Sequence, residues 1–249
     1  MPAPESSTLG NCLVPDWPAP RHVKALQTTR LGGVSAAPFN SLNLGYHVGD
    51  SPLVVARNRI LLSPLLPSEP VWLEQTHGVT VVDAAHADCL PRADACIAYR
   101  ASAVCVVMTA DCLPLLLCDI SGTVVGAVHA GWRGLCEGVV ENAVRAMQVP
   151  PTSLMAWMGP AISQAAFEVG DEVRTAFIAQ HADASAAFMP GVTGKWQADI
   201  YMLARQRLQV LGVTQIFGGG LCTYSDPARF FSYRRDGTCG RMGTFIWME

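Results

Sequence analysis

At 249 residues the chain can bury one large core or two small ones. A formal charge of -3, from 17 basic and 20 acidic residues, gives no reason to expect nucleic acid as a partner. Half of the residues are apolar, yet no unbroken run approaches the roughly 18 that cross a bilayer, so a membrane is not an expected partner either.

Residues 1–22 are Pro-rich and read as an N-terminal surface segment; lacking a basic start and a continuous apolar stretch, they do not read as a secretory signal, and the expected compartment is the cytoplasm. "VKALQTTR" (23–30) predicts a strand, and 31–50 a long Gly/Asn/Ser loop of the kind that carries function. A helix is expected over 53–62, with Ser51 and Pro52 as cap and first position. Strands follow at 70–74, 79–84 and 93–99, with "QTHG" at the end of the first. "VCVVMTA" (104–110) and "LPLLLCD" (113–119) are too apolar to have a wet face and read as central strands, and "TVVGAVHA" (123–130) follows a hairpin-like turn.

"GLCEGVVENAVRAM" (134–147) places Leu135, Val139, Val140, Ala143, Val144 and Met147 on one helical stripe. The second half predicts a strand at 153–159, helices over 168–180 and 196–212, and a strand at 213–219 directly after the Gly212 stop. The chain ends as loop plus terminal strand. The pattern is mixed α/β: a single compact layered domain over 23–249, with a mixed sheet core, flanking helices and a cleft at the strand ends. Neither G-x-G-x-x-G nor a Walker A pattern is present, so nucleotide binding by those routes is unsupported.

The cysteines, nine in number and mostly inside apolar runs, behave as small buried hydrophobes, and no C-x-x-C suggests a dithiol. Cys112 differs by its company. His77, Cys112 and His129 each stand at the edge of an extended apolar segment, where side chains from separate strand ends can converge in a cleft. Imidazole and thiolate suit zinc, and three protein ligands leave a coordination position for water. The same trio also suits a Cys112 nucleophile with His129 or His77 as base. "ADCLP" occurs at both 87–91 and 110–114, so spacing alone does not choose between Cys89 and Cys112. Context leans to Cys112, which joins two apolar strands, whereas Cys89 lies in a polar stretch with His86, Asp88, Pro91 and Arg92.

Around this trio, Arg133 at a helix start in "HAGWRG" is a candidate to hold phosphate. "FSYRRDGTCGR" offers Phe231, Tyr233 and Arg241, beside Arg234 and Arg235, as a face on which a ring with polar edges can stack. Asn43, His47 and Asp50 in the first long loop are further ligand-holding candidates, while Asp94 and Asp111 are candidates to orient an imidazole or carry a proton.

"NSLNLGYHVGD", "QTHG", "ADACI", "TADCLPL", "HAGWRG", "GPAISQAAFEVG" and "FSYRRDGTCGR" together resemble the laccase-domain family, once called multicopper polyphenol oxidases. Its bacterial members are described as purine nucleoside phosphorylases and as peptidoglycan editing factors. The resemblance runs in order over nearly the whole chain and implies His77, Cys112 and His129 as metal ligands, favouring the second "ADCLP". It implies a zinc-dependent purine nucleoside phosphorylase with adenosine deaminase side activity. That enzyme would act on adenosine, inosine and related nucleosides with phosphate, copper being possible in place of zinc, as a monomer or homodimer. Cys112, His129, Asp111 and Arg133 are then the expected catalytic set. The alternatives are a cysteine hydrolase editing peptidoglycan precursors, a copper-dependent laccase-like polyphenol oxidase, and a non-enzymatic metal-stabilised module. A multicopper cluster would need many more histidines than the six present, so one mononuclear site is all that the chain can build.

Overall fold

Strands and helices alternate along residues 11–249, the residues described by this computed structural model. The strands in chain order are Cys12–Leu13 (β1), Val23–Thr28 (β2), Val81–Asp83 (β3), Ala95–Ala98 (β4), Cys105–Thr109 (β5), Leu113–Asp119 (β6) and Val125–Ala130 (β7). Leu154–Met158 (β8), Glu168–Gly170 (β9), Phe188–Pro190 (β10), Lys195–Ala198 (β11), Gln215–Gly218 (β12) and Met242–Met248 (β13) complete them. The helices are Pro52–Ile60 (α1), Trp132–Glu137 (α2), Val139–Ala146 (α3), Asp171–Gln180 (α4), Ile200–Leu211 (α5) and the short Tyr233–Asp236 (α6).

An apolar run without alternation needs cover on both faces, and β6 has it. Leu113, Leu115 and Leu117 share a core with Leu135, Val140, Val144 and Leu208 of the helices, while Leu116 and Cys118 join Cys105, Val107 and Ile246 of a second sheet. The larger sheet has the order β12-β8-β6-β7-β4-β3, parallel at its two edges and antiparallel between them. Against it packs an antiparallel sheet ordered β1-β2-β13-β5, whose outer face is covered by Leu42, Leu44, Leu62 and Trp72. The described residues thus form one layered α/β domain with a mixed-sheet core and flanking helices. A small sheet, β10-β11-β9, lies beside α4.

The departures from sequence expectation have local causes. The helix expected over 134–147 breaks into α2 and α3 at Gly138, whose φ of +104° a helix interior does not allow. Glu168–Gly170 and Lys195–Ala198 pair as strands, so the two helices expected to include them begin later, at Asp171 and Ile200. Asp199 is the signal for the second start: its carboxylate accepts the Met202 amide at 2.9 Å. The strand expected at 70–74 makes only isolated bridges at Val71 and Glu74. Of the proposed surface segment, residues 1–10 lie outside the described residues, and Cys12–Leu13 pairs with β2. Among the described residues no helix is long and apolar enough to cross a membrane.

Candidate metal centre

Strand register sets the centre. His129 lies on β7, its amide donating to the Asp94 carbonyl at 2.7 Å, just before β4 begins. Val128 and Ala130 belong to the helix-facing core, so alternation turns His129 towards the other sheet. Asp94 is fully buried, and its carboxylate gathers the next element. It accepts from the amides of Thr76, His77 and Gly78 and from the Thr76 hydroxyl, at 2.8–3.1 Å. This holds the "QTHG" turn with His77 at φ +60°. Asp94 Oδ1 also stands 2.8 Å from His129 Nδ1, which therefore donates and leaves Nε2 for a ligand.

Two glycines of "HAGWRG" let that turn approach. A Cβ on Gly131 would stand 2.9 Å from His77 Cδ2 and 3.1 Å from Cys112 Sγ, and one on Gly134 would stand 2.6 Å from the Gly78 carbonyl oxygen. Cys112 enters from the start of β6, preceded by Asp111 at φ +94°.

The ligand-capable atoms of His77, Cys112 and His129 lie within 4.8 Å of one another. Cys112 Sγ is 3.7 Å from His77 Nε2, and the two imidazole rings meet edge to face with centroids 4.7 Å apart. Cys89 is exposed elsewhere, beside Leu90 and Asp88 in a cavity lined by Tyr46 and Trp72, and takes no part in the trio. Burial pushes the Cys112 thiol up, but the charge of His129 and hydrogen bonds from both imidazoles outweigh it and bring the thiol down to about 6. Burial pulls His129 down, while Cys112 and Asp94 raise it to about 9. Burial likewise raises Asp94, and its bonds to His129 and the "QTHG" amides overcome that to hold it at about 2. These shifts favour an imidazolium–thiolate pair between His129 and the half-buried Cys112, beside the buried Asp94 carboxylate, and a metal ion would displace its proton.

The trio opens onto a cavity of about 360 Å³ that His47, Gln75, Met108, Thr109, Tyr233 and Arg241 also line. Burial, then the positive charges of Arg241 and Arg59, lower the His47 pKa. Three of the expected binding residues, His47, Tyr233 and Arg241, therefore come together at the trio.

Others do not. Asn43 is fully buried, bonded to Gly45, Asp50 and the Arg241 amide, so it shapes the loop rather than facing a ligand. Phe231 is fully buried in a separate cluster with Phe230 and Met242. Arg133 is exposed and lies over the Trp132 ring, outside the lining of this cavity. Asp111 accepts from the Thr223 hydroxyl at 2.6 Å and the Arg234 amide at 2.7 Å. Arg235 donates to the carbonyls of Thr223, Tyr224 and Phe230. Gln75 and Thr109 went unnoticed among the letters, although each stands within three residues of a metal-ligand candidate.

Residues 24–249 match the family model of the multi-copper polyphenol oxidoreductase laccases. A purine nucleoside phosphorylase of Pseudomonas aeruginosa is 55% identical over 238 residues, covering 95% of this chain and 98% of its own length. Another, from Escherichia coli strain K12, is 53% identical over 243 residues, covering 96% and 100%. The crystal structure of Neisseria meningitidis protein NMB0706 superposes with a TM-score of 0.93 at 51% identity, covering 96% of this chain and 99% of that one. The family match and the two-imidazole, one-thiolate geometry overturn the expected zinc-dependent purine nucleoside phosphorylase with adenosine deaminase side activity. They favour its copper-dependent, laccase-like alternative.

Proposed function

Since the chain belongs to the multi-copper polyphenol oxidoreductase laccase family, a family of enzymes, we propose that it holds one copper ion on His77, Cys112 and His129 and oxidises small phenols beside it. The observation that carries this reading is the donor set, two imidazole nitrogens and one sulfur within 4.8 Å. Soft sulfur combined with imidazole suits copper, and affinity for such sites rises to a maximum at copper along the first row. The reading is mononuclear, since the described residues hold no second cluster of three such ligands. Met108 lines the cavity but turns its sulfur to Arg59 Nη2 at 3.9 Å, so it is not counted as a ligand.

Copper bound there supplies a one-electron acceptor for a phenol, with dioxygen as terminal oxidant. The chain's own residues do the rest. Asp94 fixes the His129 ring through Nδ1 and keeps its other nitrogen facing the site. Arg241 lies 5.8 Å from the Tyr233 ring, and together they form a wall on which an aromatic ring stacks. His47, whose pKa is lowered by burial and by neighbouring cations, lines the cavity with a ring nitrogen as the proposed acceptor of the phenolic proton. We place the protein in the cytoplasm, where the Cys112 thiolate stays reduced.

Metal analysis with two turnover assays tests the reading. Chain purified without chelator should hold about one copper and consume dioxygen with catechol. The names of the relatives carry nucleoside and phosphate into the second assay: ribose 1-phosphate formed from inosine only when phosphate is present, with catechol untouched, overturns the proposal.

A further inference from the structure

Buried hydroxyls in folded proteins are hydrogen-bonded, and each exception calls for a reason. Five threonines are buried among the described residues. Thr29 donates to the Asn11 carbonyl, Thr28 accepts the Gly243 amide, Thr223 donates to Asp111 and Thr244 donates to Gln27, at 2.6–2.8 Å. Thr109, at 1% exposure, has no protein partner for its Oγ1 among the described residues. It also lines the cavity of the His77, Cys112 and His129 trio, which makes its position informative.

Strand geometry gives its direction. Thr109 closes β5, three residues before Cys112. Alternation groups its side chain with Cys105 and Val107, which pack against Ala127 and Val125 of β7. His129 lies on the same face of β7 as those two residues, two positions beyond Ala127. The side chain is therefore set between the sheets at the end where the trio opens, and its hydroxyl can donate one hydrogen bond and accept others.

We infer that Thr109 is a ligand-contacting residue whose hydroxyl hydrogen-bonds an oxygen of the molecule reaching the trio, selecting hydroxyl-bearing ligands over apolar ones of the same shape. The inference rests on the proposed use of this cavity for substrate, though not on which substrate it is.

The test uses the full chain as wild type, Thr109→Val and Thr109→Ser. Metal content and thermal unfolding of the metal-free protein are read first, then calorimetric titration of the copper-loaded protein with catechol and, separately, inosine. Thr109→Val should retain copper and cooperative unfolding and bind catechol about fivefold more weakly, as loss of one net hydrogen bond implies, with Thr109→Ser restoring affinity. Affinity of Thr109→Val within twofold of wild type, or Thr109→Ser binding as weakly as Thr109→Val, overturns the inference. If wild type binds inosine but not catechol, the phenol reading fails while the fivefold loss should still appear with inosine. Failure to bind either compound overturns both.

Discussion

The pentapeptide "ADCLP" stands in this chain twice and makes two different objects. At 87–91 it is a surface turn: Cys89 is exposed, Leu90 is 52% exposed and sits at φ +70°, and among the described residues Cys89 joins no cluster of three ligand-type side chains. At 110–114 the same letters carry Asp111 into a buried pair of hydrogen bonds, Cys112 into the trio and Leu113 into the main core at 0% exposure. The difference comes from long-range neighbours. The second copy opens a strand, and the pairing of Leu113 with Ala130 places Cys112 beside the end of β7, where Gly131 clears room for its sulfur. A thiol becomes a ligand through what the fold brings to it.

The comparison breaks most readily at the sulfur. Cys112→Ser should lose more metal affinity than the roughly 10–100-fold typical of removing a ligand's hydrogen-bonding partner, whereas Cys89→Ser should leave metal content unchanged. Equal metal in both variants, measured by elemental analysis, would erase the distinction. One residue further along, Leu113→Ala should cost about 2–5 kcal/mol in urea unfolding, and Leu90→Ala should stay within about 0.5 kcal/mol.

Asp94→Asn sharpens the role of orientation, with an expected loss of about 10–100-fold in metal affinity by competitive titration. The sign of its pH dependence follows from the carboxylate held at about 2. A depressed acid stabilises the fold above its unfolded value, about 4, and that contribution fades as pH falls towards 2. The stability gap between metal-free wild type and Asp94→Asn should therefore be full at neutral pH and close through that acid window. The smallest effect is kinetic. Alkylation of Cys112 in metal-free protein should rise with a midpoint near pH 6 and be blocked when metal is added, while metal leaves Cys89 alkylation unaffected.

Much of this was legible in the letters where burial is total. The unbroken apolar runs 104–110 and 113–119 identify central strands because both faces of β5 and β6 are covered. Ser51-Pro52 likewise marks the start of α1. Short strands were hidden where their letters also fit a helix: Val169 and Trp196 pair across β9 and β11, yet suit the apolar faces of the helices that follow. The trio was visible as polar residues at apolar edges, while the choice between Cys89 and Cys112 needed either strand register or the family resemblance. Arg133, Phe231 and Asn43 looked like binding residues because their types are, and only packing reveals that two are buried and one is turned to solvent. Thr109 was invisible because an unpaired hydroxyl is a property of its surroundings.

The most direct measurement is elemental analysis joined to visible absorption of the full chain, purified without chelator and oxidised. The account predicts about one copper per chain and an intense thiolate-to-copper charge-transfer band that disappears in Cys112→Ser and persists in Cys89→Ser. Stoichiometric zinc with no copper uptake and no such band, or a band that survives Cys112→Ser, would contradict it.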